Sequence, residues 1–157
     1  MQGIEGHSTV KIRTAEEGDY DELANVWEAS VRKTHHFLSS SDIDTLKRVV
    51  RDKLLPNTNI VFVRDDNGNI SGFAGTSGDK IEMLFIAPEY IGMGIGKRLF
   101  WHAVLELNAY RLDVNESNLD ALNFYMRMGC KVTGRSPMDS MGNPYPVLRL
   151  EWIRTGG

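Results

Sequence analysis

Leu84-Phe85-Ile86-Ala87-Pro88-Glu89-Tyr90-Ile91-Gly92-Met93-Gly94-Ile95-Gly96-Lys97-Arg98-Leu99-Phe100 is the stretch on which the reading of this chain turns. An apolar run ends at Pro88, three glycines alternate with Met93 and Ile95, and a helical pattern begins at Lys97. The pattern predicts a strand, a glycine turn and a helix. Alternating glycines let a backbone approach a ligand closely, and the free N–H groups of a first helical turn point at whatever lies there. Together with the positive end of the helix dipole and the Lys97 ammonium, they suit an anion such as a pyrophosphate.

Two familiar phosphate motifs fail on spacing. The dinucleotide fingerprint G-x-G-x-x-G finds its first pair at Gly92 and Gly94, but its third glycine falls at Lys97. The P-loop G-x-x-x-x-G-K-[ST] puts Ile91 at its first glycine and Arg98 at its hydroxyl. What remains is G-x-G-x-G after a strand that ends in Pro88. A turn that needs glycine only for its own backbone is the competing structural reading.

Upstream of the turn, residues 59–64 read as a buried strand, Asp66-Asn67-Gly68 as a hairpin turn and residues 70–76 as the returning strand. Ser77-Gly78-Asp79 turns the chain into the strand at 81–87. Further upstream, residues 10–13 alternate as a short first strand, and Thr14 with Glu17 fits a capping box. Leu23, Val26, Trp27, Ser30 and Val31 then recur at helical spacing. Thr34-His35-His36-Phe37-Leu38 links that helix to a second one. Ser41 or Asp42 is expected to cap it, and Ile43, Leu46, Val49, Val50 and Leu54 share one face. Downstream come a helix marked by Leu99, Phe100, Ala103, Val104 and Leu107, a strand at 110–114, and a helix at 118–128 closed by Gly129. Strands at 131–135 and 146–152, joined by a loop at 136–145, end the pattern. The order β-α-α-β-β-β-α-β-α-β-β predicts an α/β protein, a mixed sheet with helices on both faces.

The 157 residues suit one domain with a substantial core, expected over 9–157 behind a disordered leader at 1–8. Lys and Arg number 18 against 21 Asp and Glu, a net of −3, which draws the chain to neither nucleic acid nor an anionic membrane. The lone Cys130 excludes an internal disulfide and suits a reducing compartment, so a cytoplasmic protein is expected. No apolar run approaches the roughly 20 residues of a membrane span, and no signal-peptide pattern opens the chain.

Gly94 and Gly96 match motif A of the GNAT family of N-acetyltransferases, [QR]-x-x-G-x-[GA], with Ile91 where that family has Gln or Arg. Asn118, Ala121, Phe124, Tyr125 and Gly129 match its motif B, N-x-x-A-x-x-F-Y-x-x-x-G-F, with Cys130 in place of the final aromatic. Two motifs in order, joined by the expected helix and strand, make the chain resemble that family from residue 10 to residue 152. Thr34-His35-His36-Phe37-Leu38, Thr133-Gly134-Arg135-Ser136 and Pro144-Tyr145-Pro146 resemble a bacterial subgroup of it.

The resemblance implies a mostly antiparallel sheet whose strands at 81–87 and 110–114 splay apart around acetyl-CoA. Backbone groups of Leu84, Phe85 and Ile86 would pair with the pantetheine arm, and a backbone N–H, expected at Leu84, would polarise the thioester carbonyl. Amides of Gly92, Met93, Gly94, Ile95, Gly96 and Lys97 would hold the pyrophosphate, and the Asn118 side chain would contact the cofactor near its pantetheine. Tyr125 would protonate the leaving thiolate; no metal is implied. Glu82 is the candidate base if regular alternation puts it on the face of Leu84 and Ile86. A bulge in that strand is what could turn it outward instead. His35 or His36 is the alternative base. The same two histidines, with Trp27 and Phe37, are candidates to shape the acceptor pocket, while Arg135, Asp139 and the Pro-Tyr-Pro run are candidates for its other wall. The expected acceptor is a primary amine of a small molecule or of an exposed peptide or protein. A homodimer through the last strands is expected by resemblance. Two other readings stay open: an acyl-CoA sensor without turnover, for which Ile91 gives a footing, and a nucleotide-binding protein using the same turn.

Overall fold

The computed structural model describes residues 11–34 and 38–154. Its elements run β1 (Arg13–Thr14), α1 (Tyr20–Thr34), α2 (Ser40–Val49), β2 (Asn59–Arg64), β3 (Ile70–Ser77) and β4 (Lys80–Ile86). They continue as α3 (Ile95–Leu105), β5 (Arg111–Asn115), α4 (Leu119–Arg127), β6 (Cys130–Ser136) and β7 (Val147–Trp152). This is the element order expected from the sequence. The leader, Val10 of the expected first strand, and the linker residues His35, His36 and Phe37 lie outside the described residues.

Two helix starts differ from expectation. The N-cap of α2 is Ser39 rather than Ser41 or Asp42: the Asp42 N–H donates to Ser39 Oγ at 3.0 Å, and the Ser39 N–H donates back to the Asp42 carboxylate at 3.4 Å. The expected box at Thr14 and Glu17 stands two residues later, where the Glu16 N–H donates to the Asp19 carboxylate at 2.9 Å. A short acidic side chain three residues on serves as well as the Glu of the usual pattern.

The seven strands form one sheet in the order β1-β2-β3-β4-β5-β7-β6, antiparallel throughout except for the parallel pair β4–β5. Side chains alternate across it. Ile60, Phe62, Phe73, Met83 and Phe85 meet α1 through Leu23 and Trp27, while Val61, Val63 and Ala74 meet α3 through Leu99. A third cluster joins Phe100 and Val104 of α3 and Tyr125 of α4 to Ile81, Leu112 and Leu150 of the sheet. Helices on both faces explain why β3 is buried from Ile70 to Thr76. Gly72 is dictated by that crowding, because a Cβ there would stand 2.8 Å from Ile86 Cδ1 and 2.9 Å from Ile95 Cγ2.

The register of β3 against β4 slips once. Thr76 faces Ile81 and Gly75 faces Met83, so Glu82 is the extra residue of a bulge. Ile81 accordingly joins the cluster under α3 and α4, whereas Met83 joins the one under α1. The regular alternation that would put Glu82 with Leu84 and Ile86 is broken at Glu82 itself.

Candidate active site

Beyond the bulge the central strands part. β4 and β5 pair only at Lys80 with Arg111 and Ile81 with Leu112. Extra twist at a bulge bends a strand away from its neighbour. The gap between them is a cavity of about 210 Å³ lined by Glu82, Met83, Leu84, Phe85, Asp113, Val114, Asn115, Asn118 and Tyr125, among others. Asn118 caps α4, its side-chain oxygen accepting from the Ala121 N–H at 3.2 Å. Tyr125 is buried against Phe100 and Phe124, with ring centroids 6.0 and 5.1 Å away. Among the described residues its hydroxyl has no hydrogen-bond partner, and burial pushes the phenol well above its ordinary pKa, with Cys130 adding to the effect. The group therefore stays neutral and keeps a proton to donate into the gap.

Glu82 stands at the other side of the same gap. Lys80 Nζ lies 3.6 Å from its carboxylate and 2.9 Å from that of Asp113. Partial burial pulls the Lys80 ammonium down, but the two carboxylates outweigh it and leave the lysine more basic than usual.

A second cavity, of about 880 Å³, adjoins the glycine turn and is lined by Ile86, Gly92, Gly94, Gly96, Lys97, Trp101, Phe124 and Arg127, among others. Gly92 and Gly94 take the left-handed backbone, with φ of 85° and 87°, which non-glycine residues rarely adopt. Gly94 is the N-cap of α3, and Arg98 N–H donates the first bond back to its carbonyl at 3.1 Å. Among the described residues, no protein acceptor meets the N–H groups of Gly92, Gly94, Ile95, Gly96 or Lys97. Those donors, with the Lys97 and Arg127 cations on the rim, make an anion cradle.

The expected residues divide among three cavities, with some outside all of them. Leu84, Phe85, Asn118, Tyr125 and Glu82 share the gap, while Ile86, Gly92, Gly94, Gly96 and Lys97 share the larger cavity. Ile95 packs into the cluster around Leu99 and can offer the cavity only its backbone N–H. Met93, expected to lend its amide, is exposed and its N–H donates to the Tyr90 carbonyl at 3.3 Å, so it adds no free donor to the cradle. Trp27, expected at the acceptor pocket, is 7% exposed in the core and lines none of the cavities described here. Arg135 and Asp139 line a third cavity, by the β6–β7 loop. Sequence reading missed Trp101, Asp120, Asn123 and Arg127 around the large cavity. Their spacing carried a signal: Trp101 is one turn from Lys97, and positions 120, 123 and 127 share a helix face. Among the described residues there is no group of three or more His, Cys, Asp or Glu side chains that could hold a metal ion.

A family model described as an acetyltransferase (GNAT) domain matches residues 23–142, and the chain belongs to that family. By class it is an acyltransferase, an acetyl-CoA-dependent N-acetyltransferase that acts on an amine. It is 38% identical over 141 residues to the peptidyl-lysine N-acetyltransferase YjaB of Salmonella typhimurium, covering 90% of this chain and 97% of that one. The solution structure of apo YjaB from Escherichia coli superposes with a TM-score of 0.81 at 36% identity, covering 92% of this chain and 97% of that one. The PaiA N-acetyltransferase of Thermoplasma acidophilum, solved in complex with coenzyme A, shares the fold with a TM-score of 0.71 at 21% identity, covering 91% and 99%.

Proposed function

We propose that this protein transfers the acetyl group of acetyl-CoA directly to the ε-amine of lysine side chains in peptides or proteins. The observation that carries the reading is the parting of β4 from β5 beside an anion cradle, with an unpartnered phenol in the gap. The residues present fit such a donor. The amides of Gly92 and of Gly94 to Lys97 take the pyrophosphate, and the unpaired edge of β4 at Leu84 to Ile86 takes the amide-bearing arm as an added strand. The two relatives named YjaB are described as peptidyl-lysine N-acetyltransferases, which favours lysine as the acceptor.

Acetyl-CoA supplies a thioester carbonyl to be attacked and a thiolate to depart. The Leu84 N–H polarises that carbonyl. Glu82, directly or through one water, removes the proton of the incoming ammonium so that the amine arrives neutral. Tyr125 faces the sulfur. A cytoplasmic setting belongs to the same reading; among the described residues no helix is long and apolar enough to cross a membrane. A second copy would add at the open edge of β6, the last strand of the sheet.

Release of CoA thiol from acetyl-CoA with lysine-containing peptides tests the proposal, with mass spectrometry locating the acetyl group. The expected product carries one acetyl on the lysine side chain. Tight CoA binding with no acetylated product on any amine would overturn it and favour the sensor.

A further inference from the structure

The acceptor side carries a charge pattern of its own. Asp113 lines both the gap between β4 and β5 and the third cavity, of about 330 Å³, and is the residue that the two linings share. The third cavity therefore borders the gap at Asp113. Cross-strand register sets Arg149 of β7 directly opposite Asp113 of β5. The two side chains leave the same face of the sheet from Cβ atoms about 5 Å apart.

These opposite charges are not paired with each other. Asp113 is engaged by Lys80 at 2.9 Å. The Arg149 guanidinium leans the other way: a Cβ built on Gly134 of β6 would meet Arg149 Nη1 at 3.7 Å. Of the two guanidinium groups that line the cavity, Arg135 is held by both oxygens of Glu116, at 2.7 and 3.1 Å. Asp139 is likewise engaged, accepting from the N–H groups of Met141 and Asn143 at 2.9 Å each. Arg149, exposed on its strand, has no hydrogen bond or ion pair among the described residues.

We propose that the third cavity receives the residues flanking the acceptor lysine, and that Arg149 selects lysines with an Asp or Glu neighbour. This rests on the lysine-acetylating reading above. The ε-ammonium is drawn to the Glu82 carboxylate, which Lys80 approaches only to 3.6 Å, while a carboxylate a few residues away meets the open guanidinium. A planar fork of N–H donors matches a carboxylate with two parallel bonds, which an ammonium cannot do. In an extended peptide the residue two positions from the lysine points to the same side, so that position fits best. The whole chain carries a net charge of −3, so its overall field does not attract an acidic peptide. The preference must come from the local guanidinium and must weaken with salt.

The test uses the full chain, acetyl-CoA and a set of peptides with one central lysine. The positions within two residues of it are alanine, aspartate or lysine, and free lysine is a further acceptor. Expected for the wild type is a kcat/KM about tenfold higher on the aspartate peptide than on the alanine peptide at low salt. Arg149→Gln removes that ratio, and Arg149→Glu inverts it toward the lysine-flanked peptide, with thermal melting confirming that both variants are folded. A wild-type ratio within twofold of one, or an Arg149→Glu variant that keeps the acidic preference, overturns the proposal and leaves the lysine reading standing. Refusal of every lysyl peptide, whether or not free lysine is taken, overturns both.

Discussion

At Tyr125 the chemistry follows from where the phenol sits. Burial raises it well above its ordinary value of about 10, whereas a thiol titrates near 8.5. Full proton transfer to a departing thiolate then runs uphill, so under the proposed reading Tyr125 stabilises the sulfur by donating a hydrogen bond. Tyr125→Phe is expected to lower kcat about 10²-fold, the size of one lost transition-state donor. CoA affinity, measured by calorimetry, should change by less than about twofold, because the ground-state thioester gains little from that bond. The sign of the shift also sets a pH expectation: the phenol stays protonated at every pH below its raised value. The kcat/KM profiles of wild type and Tyr125→Phe, measured from pH 6 to pH 10, should therefore differ in height and share one shape. Cys130 is a second residue ruled by burial, its thiol pushed up to about 11. It should resist a thiol reagent at pH 8 in the folded protein and react stoichiometrically once the protein is denatured.

Among the elements, the turn between β4 and α3 is held from a distance. The Tyr90 hydroxyl donates to the Asp65 carboxylate in the β2–β3 turn, and the N–H groups of Asn67 and Asn69 donate to the same carboxylate at 2.8 and 2.9 Å. The Tyr90 bond, and then that of Asn69, hold Asp65 below the usual carboxylate range. A depressed folded value means that this group's stabilisation is present above its ordinary pKa and fades as pH falls through the depressed one. Asp65→Asn should flatten the loss of melting temperature in the acid limb, below about pH 4. Two glycines of this region separate packing from ligand approach. Gly72→Ala forces a methyl into Ile86 and Ile95 and should cost about 1–3 kcal/mol in a denaturant titration. A Cβ at Gly96 meets Phe124 and Ile86 only at 3.6–3.7 Å, an ordinary contact. Gly96→Ala should therefore melt close to wild type, while its methyl, set in the cavity wall, weakens CoA binding about tenfold or more.

For the whole molecule, a ligand that bridges the gap and the cradle binds only the folded state. CoA at 100 times its Kd should stabilise by about 2.7 kcal/mol. For a chain of this size that raises the melting temperature by about 5–10 °C. ATP and NAD, which lack the pantetheine arm, should leave it unmoved in the same thermal-shift assay. Much of this architecture was legible beforehand. The buried strand at Asn59–Arg64, the hairpin at Asp66-Asn67-Gly68, the glycine turn and the helix expected over 118–128 all appear, because periodicity and turn chemistry are written by neighbours in the chain. The two motifs likewise marked Gly94, Asn118 and Tyr125, and the resemblance they carry marked Leu84, as lining residues before any contact was known. What the sequence by itself determined was thus the order of elements, the anion-seeking turn and the helix that carries the phenol. Only the tertiary structure decided the bulge at Glu82, the burial of Trp27, and the facing of Asp113 by Arg149. The facing of Asp113 by Arg149 depends on register between strands far apart in sequence, and the burial of Trp27 on how α1 packs against the sheet. The bulge adds one residue to β4, which sends the next side chain to the other face without leaving any local mark.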